Sequence, residues 1–143
     1  MSSSYIPAEL RRRVLSAFRG RCAYCHSVEA LMGVTFEVEH IIPRSAGGTT
    51  EADNLCLSCP ICNRRKAARL TASDPLGGGE VRIYHPNQQV WNDHFAWNED
   101  YTQLVGLTAI GRTTAVALGM NRSQIVQLRR YWIELGLHPS EGD

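Results

Sequence analysis

Between Glu37 and Lys66 the sequence reads EVEHIIPRSAGGTTEADNLCLSCPICNRRK, an acid and a histidine followed by two asparagines and a pair of cysteines. Side chains of these types can hold a cation and activate water against a phosphodiester, so the stretch reads as a metal-dependent phosphodiesterase site. A second cysteine pair lies upstream. Cys22 and Cys25 in CAYC can meet Cys59 and Cys62 in CPIC, and four thiolates on two short knuckles make a closed tetrahedral zinc site, which is structural. Glu39, His40, Asn54 and Asn63 lie between or just beside the knuckles. Closing the zinc site therefore gathers distant parts of the chain around them, and one metal folds the site that a second metal uses.

The order CxxC, EHIIPRSAGG, DNL and CPxCNxxK closely resembles the HNH endonucleases, nucleases of the ββα-metal fold, in the version that carries a four-cysteine zinc; the likeness runs over roughly residues 5–70. The resemblance implies a histidine general base, a divalent ion held by an acidic residue and a later His or Asn, and a nucleic-acid substrate. Placed on this sequence, His40 is the base, Asn54 orients it through the loop it anchors, and Glu39 and Asn63 are oxygen ligands of Mg²⁺ or Mn²⁺. Asn63 stands where the family name has its last histidine. Arg44, Arg64, Arg65 and Lys66 are expected to grip flanking phosphates, which fix register without reading sequence. Cys56 and Cys59 also form a CxxC; the family pattern puts position 56 in an apolar strand, which favours Cys59 and Cys62 as ligands and leaves Cys56 a buried thiol. His26, directly after Cys25, is an alternative ligand.

These residues need elements to hold them. IPAELRRRVLSAFRG reads as a helix, with Pro7 in its first turn, Leu10, Val14 and Phe18 in one apolar stripe, and Arg11, Arg12 and Arg13 mostly outward. Val34–Ile42 alternates as a strand that Pro43 halts just past the histidine, and Leu55–Ser58 is a second, short strand. Neighbours on a strand point to opposite sides, so Glu39 and His40 share a site only if the backbone twists or breaks there. A helix from about Pro60 to Leu70 completes a strand, loop, strand, helix order. TASDPLGGG reads as a loop and the domain boundary. Beyond it come a strand-like VRIYHP, a short helix and hairpin turning near Glu99 and Asp100, and two helices, about Ala109–Leu118 and Arg122–Leu135. Asn121 with Gln124 makes a capping-box-like start for the last, whose Ile125, Leu128, Trp132 and Leu135 share a face. WNDHFAW is similar to an extension found after the HNH core in some stand-alone bacterial proteins, and His94 reads as part of an aromatic cluster with Trp91, Phe95 and Trp97.

The expected fold is thus α+β: a small ββα-metal core, residues 5–70, stapled by a four-cysteine zinc, with a C-terminal extension, residues 71–143, of short strands and two helices packed on it. With 143 residues and 43% hydrophobic content, the chain is neither disordered nor large enough for several cores. The net charge of +1 hides a split: residues 1–70 hold ten Lys or Arg against six Asp or Glu, net +4, and residues 71–143 hold five against eight, net −3. The positive half carries the site, as suits phosphate contact at one face. No apolar run approaches a membrane span and MSSSYIPAEL lacks the core of a signal peptide, so the expected address is cytoplasmic, where five cysteines are metal ligands sooner than disulfides. The expected function is Mg²⁺-dependent endonucleolytic cleavage of DNA, duplex before single strand. A catalytically silent zinc-stapled module that only binds nucleic acid, and an RNA-directed nuclease, are the alternatives; the set of Glu39, His40, Asn54 and Asn63 favours an enzyme, because a pure binder has no need of it.

Overall fold

A computed structural model describes residues 5–140, and these described residues form an α+β fold with six α-helices and three antiparallel two-stranded sheets. It divides into two compact units. The first runs to Leu70 and also takes in His85–Gln89; the second comprises Thr71–Tyr84 and the chain from Val90 onward.

In the first unit, α1 (Ala8–Ala17) starts after Pro7, whose fixed φ of −57° leads into the helix without itself joining it, and Glu9 lies in the positively polarised first turn. Val14 is its buried residue. Arg12 and Arg13 are exposed, whereas Arg11 reaches back to donate from Nη2 to the Phe36 carbonyl at 3.0 Å. After the short α2 (Glu29–Met32) come β1 (Glu37–His40) and β2 (Leu55–Ser58), paired with Glu39 opposite Cys56 and His40 opposite Leu55; α1 rests on both strands. β1 is shorter than the alternation from Val34 to Ile42 suggests, because side chains take the backbone groups at each end. Glu29 Oε2 accepts the Phe36 N–H at 2.7 Å, and Asn54 Oδ1 accepts the Ile42 N–H at 2.9 Å. α3 (Pro60–Lys66) opens with a proline at its first position and Cys59 Sγ accepting from the Cys62 N–H. It stops at Lys66, short of the expected Leu70, because Ala67 turns to φ +51°.

The second unit begins with a hairpin the sequence reading missed. Thr71–Ser73 (β3) pairs with Glu80–Arg82 (β4), so only Asp74–Gly79 of the expected loop is loop. Asp74 braces that turn, accepting from Leu76 N–H at 3.0 Å and from Arg112 Nε and Nη2 at 2.8 and 2.9 Å. α4 (Trp91–His94) leads into the hairpin of β5 (Phe95–Trp97) and β6 (Leu104–Gly106), where Trp91, Phe95, Tyr84 and His94 pack ring to ring. α5 (Ala109–Ala117), capped by Thr108, lies on β3, β4 and β6, and Gly111 permits its approach: a Cβ there would sit 2.0 Å from the His94 carbonyl oxygen. The last helix, α6 (Ser123–Glu134), departs from expectation twice. Its N-cap is Arg122, because Asn121 instead bonds both backbone groups of Leu104, at 2.7 and 2.8 Å. Its buried stripe is Ile125, Val126, Arg129 and Trp132, and Leu135 is 70% exposed.

Candidate functional site

The four sulfurs of Cys22, Cys25, Cys59 and Cys62 are buried and all lie within 4.8 Å of one another. Tetrahedral zinc with bonds of about 2.3 Å separates its sulfurs by about 3.8 Å, and Cys25 Sγ is 3.9 Å from Cys59 Sγ. The set can therefore close on one tetrahedral cation with little movement. The first knuckle turns through His26 at φ +62°, whose N–H bonds the Cys22 carbonyl at 3.0 Å; the second is the start of α3. A bond of 2.8 Å from Ala23 N–H to the Leu57 carbonyl ties the first knuckle to β2. Neither Cys56 nor His26 joins the four; Cys56 is buried under Tyr24, its Sγ 3.8 Å from the phenol oxygen.

Each half of the cysteine site sends a side chain to Glu39. Tyr24, inside the first knuckle, donates its hydroxyl to Glu39 Oε2 at 3.4 Å, and Lys66, on the helix the second knuckle starts, places Nζ 3.3 Å from the same oxygen. Burial pushes the Glu39 carboxyl up to about 7, with Lys66 and Tyr24 pulling the other way. Oε1 is buried without a hydrogen-bond partner. Lys66 was expected among the phosphate contacts and is instead only 2% exposed. Three residues after Asn63 on a helix, it shares the face turned to β1, where it meets Glu39 as Asn63 meets Glu37. Asn63 Nδ2 donates to Glu37 Oε1 at 2.6 Å, making Glu37 a second carboxylate that sequence reading had not singled out, although EVE puts it on the same side of the strand as Glu39. Arg44, Arg64 and Arg65 are exposed.

His40, the next residue, faces the opposite way. Its Nε2 is 2.8 Å from Thr50 Oγ1, which also accepts from Arg44 Nη1 at 3.3 Å. Partial burial and the Arg44 charge hold the imidazole below its ordinary value, so it is neutral at pH 7 and able to accept a proton. Asn54, buried, spends its amide on backbone: Oδ1 accepts from Ile42 N–H at 2.9 Å, and Nδ2 donates to the carbonyls of Ile42 at 3.0 Å and Thr49 at 2.9 Å. It thereby pins both ends of the loop that follows His40. Gly48 completes the pin, since a Cβ there would lie 1.7 Å from the Ile42 carbonyl oxygen and 2.8 Å from Asn54 Nδ2. Thr50 is the other residue sequence reading passed over; a polar GGTT loop carries no signal for which hydroxyl folds back.

Glu39, His40 and Asn63 each have a separate partner: Glu39 has Tyr24 and Lys66, His40 has Thr50, and Asn63 has Glu37. Residues 22–69 match the family model described as HNH endonuclease. No curated protein and no solved structure matches the chain. Among the described residues, no helix is long and apolar enough to cross a membrane.

Proposed function

We propose, on the premise that residues 22–69 form an HNH endonuclease domain, that this protein hydrolyses DNA phosphodiester bonds with His40 as general base. The observation that carries the reading is the placement of the His40 imidazole, its Nε2 2.8 Å from Thr50 Oγ1, beside a loop that Asn54 pins at both ends. In the reaction His40 takes a proton from water, and the hydroxide formed attacks phosphorus in line with the leaving 3′ oxygen. Arg44, Arg64 and Arg65, exposed near the base and on α3, hold flanking phosphates of a duplex.

The four-cysteine cluster fits zinc, whose structural sites favour such a buried, closed thiolate set. For the second metal, the fit rests on the buried Oε1 of Glu39, which has no hydrogen-bond partner among the described residues, together with the amide oxygen of Asn63 and the neighbouring Glu37. These residues would hold Mg²⁺ or Mn²⁺. Such an ion, when bound, neutralises charge on the scissile phosphate and stabilises the leaving oxygen.

One observation favours a second reading, a domain that binds nucleic acid without cutting it: Lys66 already supplies Glu39 with a cationic partner. Plasmid nicking in Mg²⁺ separates the two. The nuclease reading expects wild type to nick and His40→Ala to lose about 10²- to 10⁴-fold in rate while plasmid binding persists. Equal nicking by both proteins overturns the assigned base; binding without nicking by wild type leaves the silent module. A structured RNA run beside the plasmid tests substrate class.

A further inference from the structure

The segment His85–Gln89 belongs with the first unit although the chain on either side of it belongs to the second. It is a self-braced turn. The His85 N–H bonds Gln89 Oε1 at 2.8 Å, the Asn87 N–H bonds His85 Nδ1 at 3.2 Å, and the Gln89 N–H returns to the His85 carbonyl at 3.0 Å. The turn presents one side-chain nitrogen to the first unit. Asn87 Nδ2 lies 3.3 Å from the Ala52 carbonyl oxygen, 3.0 Å from that of Asp53 and 3.0 Å from that of Leu55.

Those three carbonyls surround Asn54. The fourth carbonyl of the run, that of Asn54 itself, accepts from the Ile41 N–H at 2.9 Å. Every carbonyl from Ala52 to Leu55 is therefore held: that of Asn54 by Ile41, the residue after β1, those of Asp53 and Leu55 by the Asn87 amide, and that of Ala52 by the same amide and the Leu55 N–H. A 3₁₀ turn at Ala52–Asn54 has few internal bonds to fix it, so its position depends on what grips these oxygens. Only a donor-bearing group suits the place. Three acceptors converge there, and an amide NH₂ serves them with two protons and no charge to desolvate.

We propose that Asn87 is a positioning residue for His40, acting through Asn54: it fixes the backbone of the 52–55 turn, the turn aims the Asn54 amide, and that amide holds Ile42 and Thr49 on either side of the loop beside the base. The consequence for catalysis rests on the nuclease reading above; the mechanical link does not. The linkage makes residues beyond the HNH span a part of the site. It acts on the geometry of the base and not on grip of the substrate, because Asn87 is spent on backbone oxygens.

The test uses the full, zinc-loaded chain and two variants, Asn87→Ala, which removes the donors, and Asn87→Asp, which keeps the shape and turns oxygen toward three oxygens. Amide hydrogen exchange reads the link directly. The expected result is faster exchange at Ile41 and Ile42, whose N–H groups bond the carbonyl and side chain of Asn54, with Cys22 and Ala23 in the zinc knuckle unchanged. Asn87→Asp is expected to show the larger loss. In plasmid nicking, kcat is expected to fall about three- to tenfold for Asn87→Ala, the equivalent of one ordinary hydrogen bond, with KM unchanged. Unchanged exchange at Ile41 and Ile42 overturns the proposal, as does exchange that rises equally in the knuckle, which means general loosening. A rise in KM at constant kcat overturns it too. A wild-type protein that does not nick defeats the nuclease reading alone, because the exchange result still decides the link.

Discussion

At His40 the structure supplies a partner that alters which atom is free to act. On the nuclease reading, Nε2 carries the ring proton and donates it to Thr50 Oγ1, a hydroxyl also tied to Arg44, and Nδ1 is the nitrogen that takes the proton from water. Thr50→Val is therefore expected to lower the nicking rate by about tenfold, the value of a hydrogen bond to a reacting group, with duplex affinity retained in a gel-shift titration; an affinity loss of the same size assigns Thr50 to the substrate instead. Glu39 poses a different problem. Its carboxyl and the Lys66 ammonium are both withdrawn from water, and removing one member strands the other. Lys66→Met is expected to destabilise the first unit by about 3 kcal/mol, read from the urea midpoint at constant slope and at a pH above the value of about 7 to which burial raises Glu39, so that the stranded carboxyl is ionised. A change below about 1 kcal/mol, the range of a surface pair, shows that the two are solvated in solution.

Among the elements, the two knuckles matter more than the strands. A unit of some 70 residues gains only a few kcal/mol from its own core, whereas a structural zinc contributes on the order of 10 kcal/mol at neutral pH. Stripping the metal is expected to melt the first unit, β1, β2 and α3 included, with loss of circular dichroism and of nicking together; a chelated protein that keeps its native melting curve refutes the four-cysteine assignment. The loop after His40 depends on a narrower device. Gly48 leaves space that the Ile42 carbonyl and the Asn54 amide both occupy, and the close approach involves backbone, which cannot swing aside. Gly48→Ala is expected to abolish nicking while zinc content, measured by colorimetric release, stays at one per chain.

Across the whole molecule, charge and acid response divide between the units. If the proposed duplex binding holds, the +4 of residues 1–70 against the −3 of residues 71–143 predicts an affinity that falls with salt, as contacts to phosphate require. In the second unit, the two hydrogen bonds from Arg112, with help from the Leu76 N–H, hold the Asp74 carboxyl below its ordinary value. Because the folded value lies below the unfolded one of about 3.9, the pair stabilises the unit fully above that pH and the contribution is lost as pH falls through the folded value. Thermal melts of the second unit's near-ultraviolet signal between pH 5 and pH 3 should show a fall that Asp74→Asn reduces, the remainder belonging to Asp100, which hydrogen bonds from Thr102 also hold below its ordinary value. A fall as steep in the variant places the acid sensitivity elsewhere.

Local information sufficed for the cysteine pairs, the two strands beside them, the helix at Pro60 and the terminal helices, because spacing, β-branching, a proline at a first helical position and a glycine past the last all act within a few residues. The same information could not choose partners. That Lys66 turns inward to Glu39 while Arg64 and Arg65 stay out, that Asn63 finds Glu37, that Asn121 leaves its helix to hold Leu104, and that Thr71 enters a hairpin are outcomes of packing between segments. None of these pairings lies within the few residues over which local signals act. Asn87 is the extreme case, a loop residue of no local distinction whose amide meets three carbonyls some 32 to 35 positions earlier. Spacing named the four cysteines that close together; only the folded chain decided which partners the polar groups around them would meet.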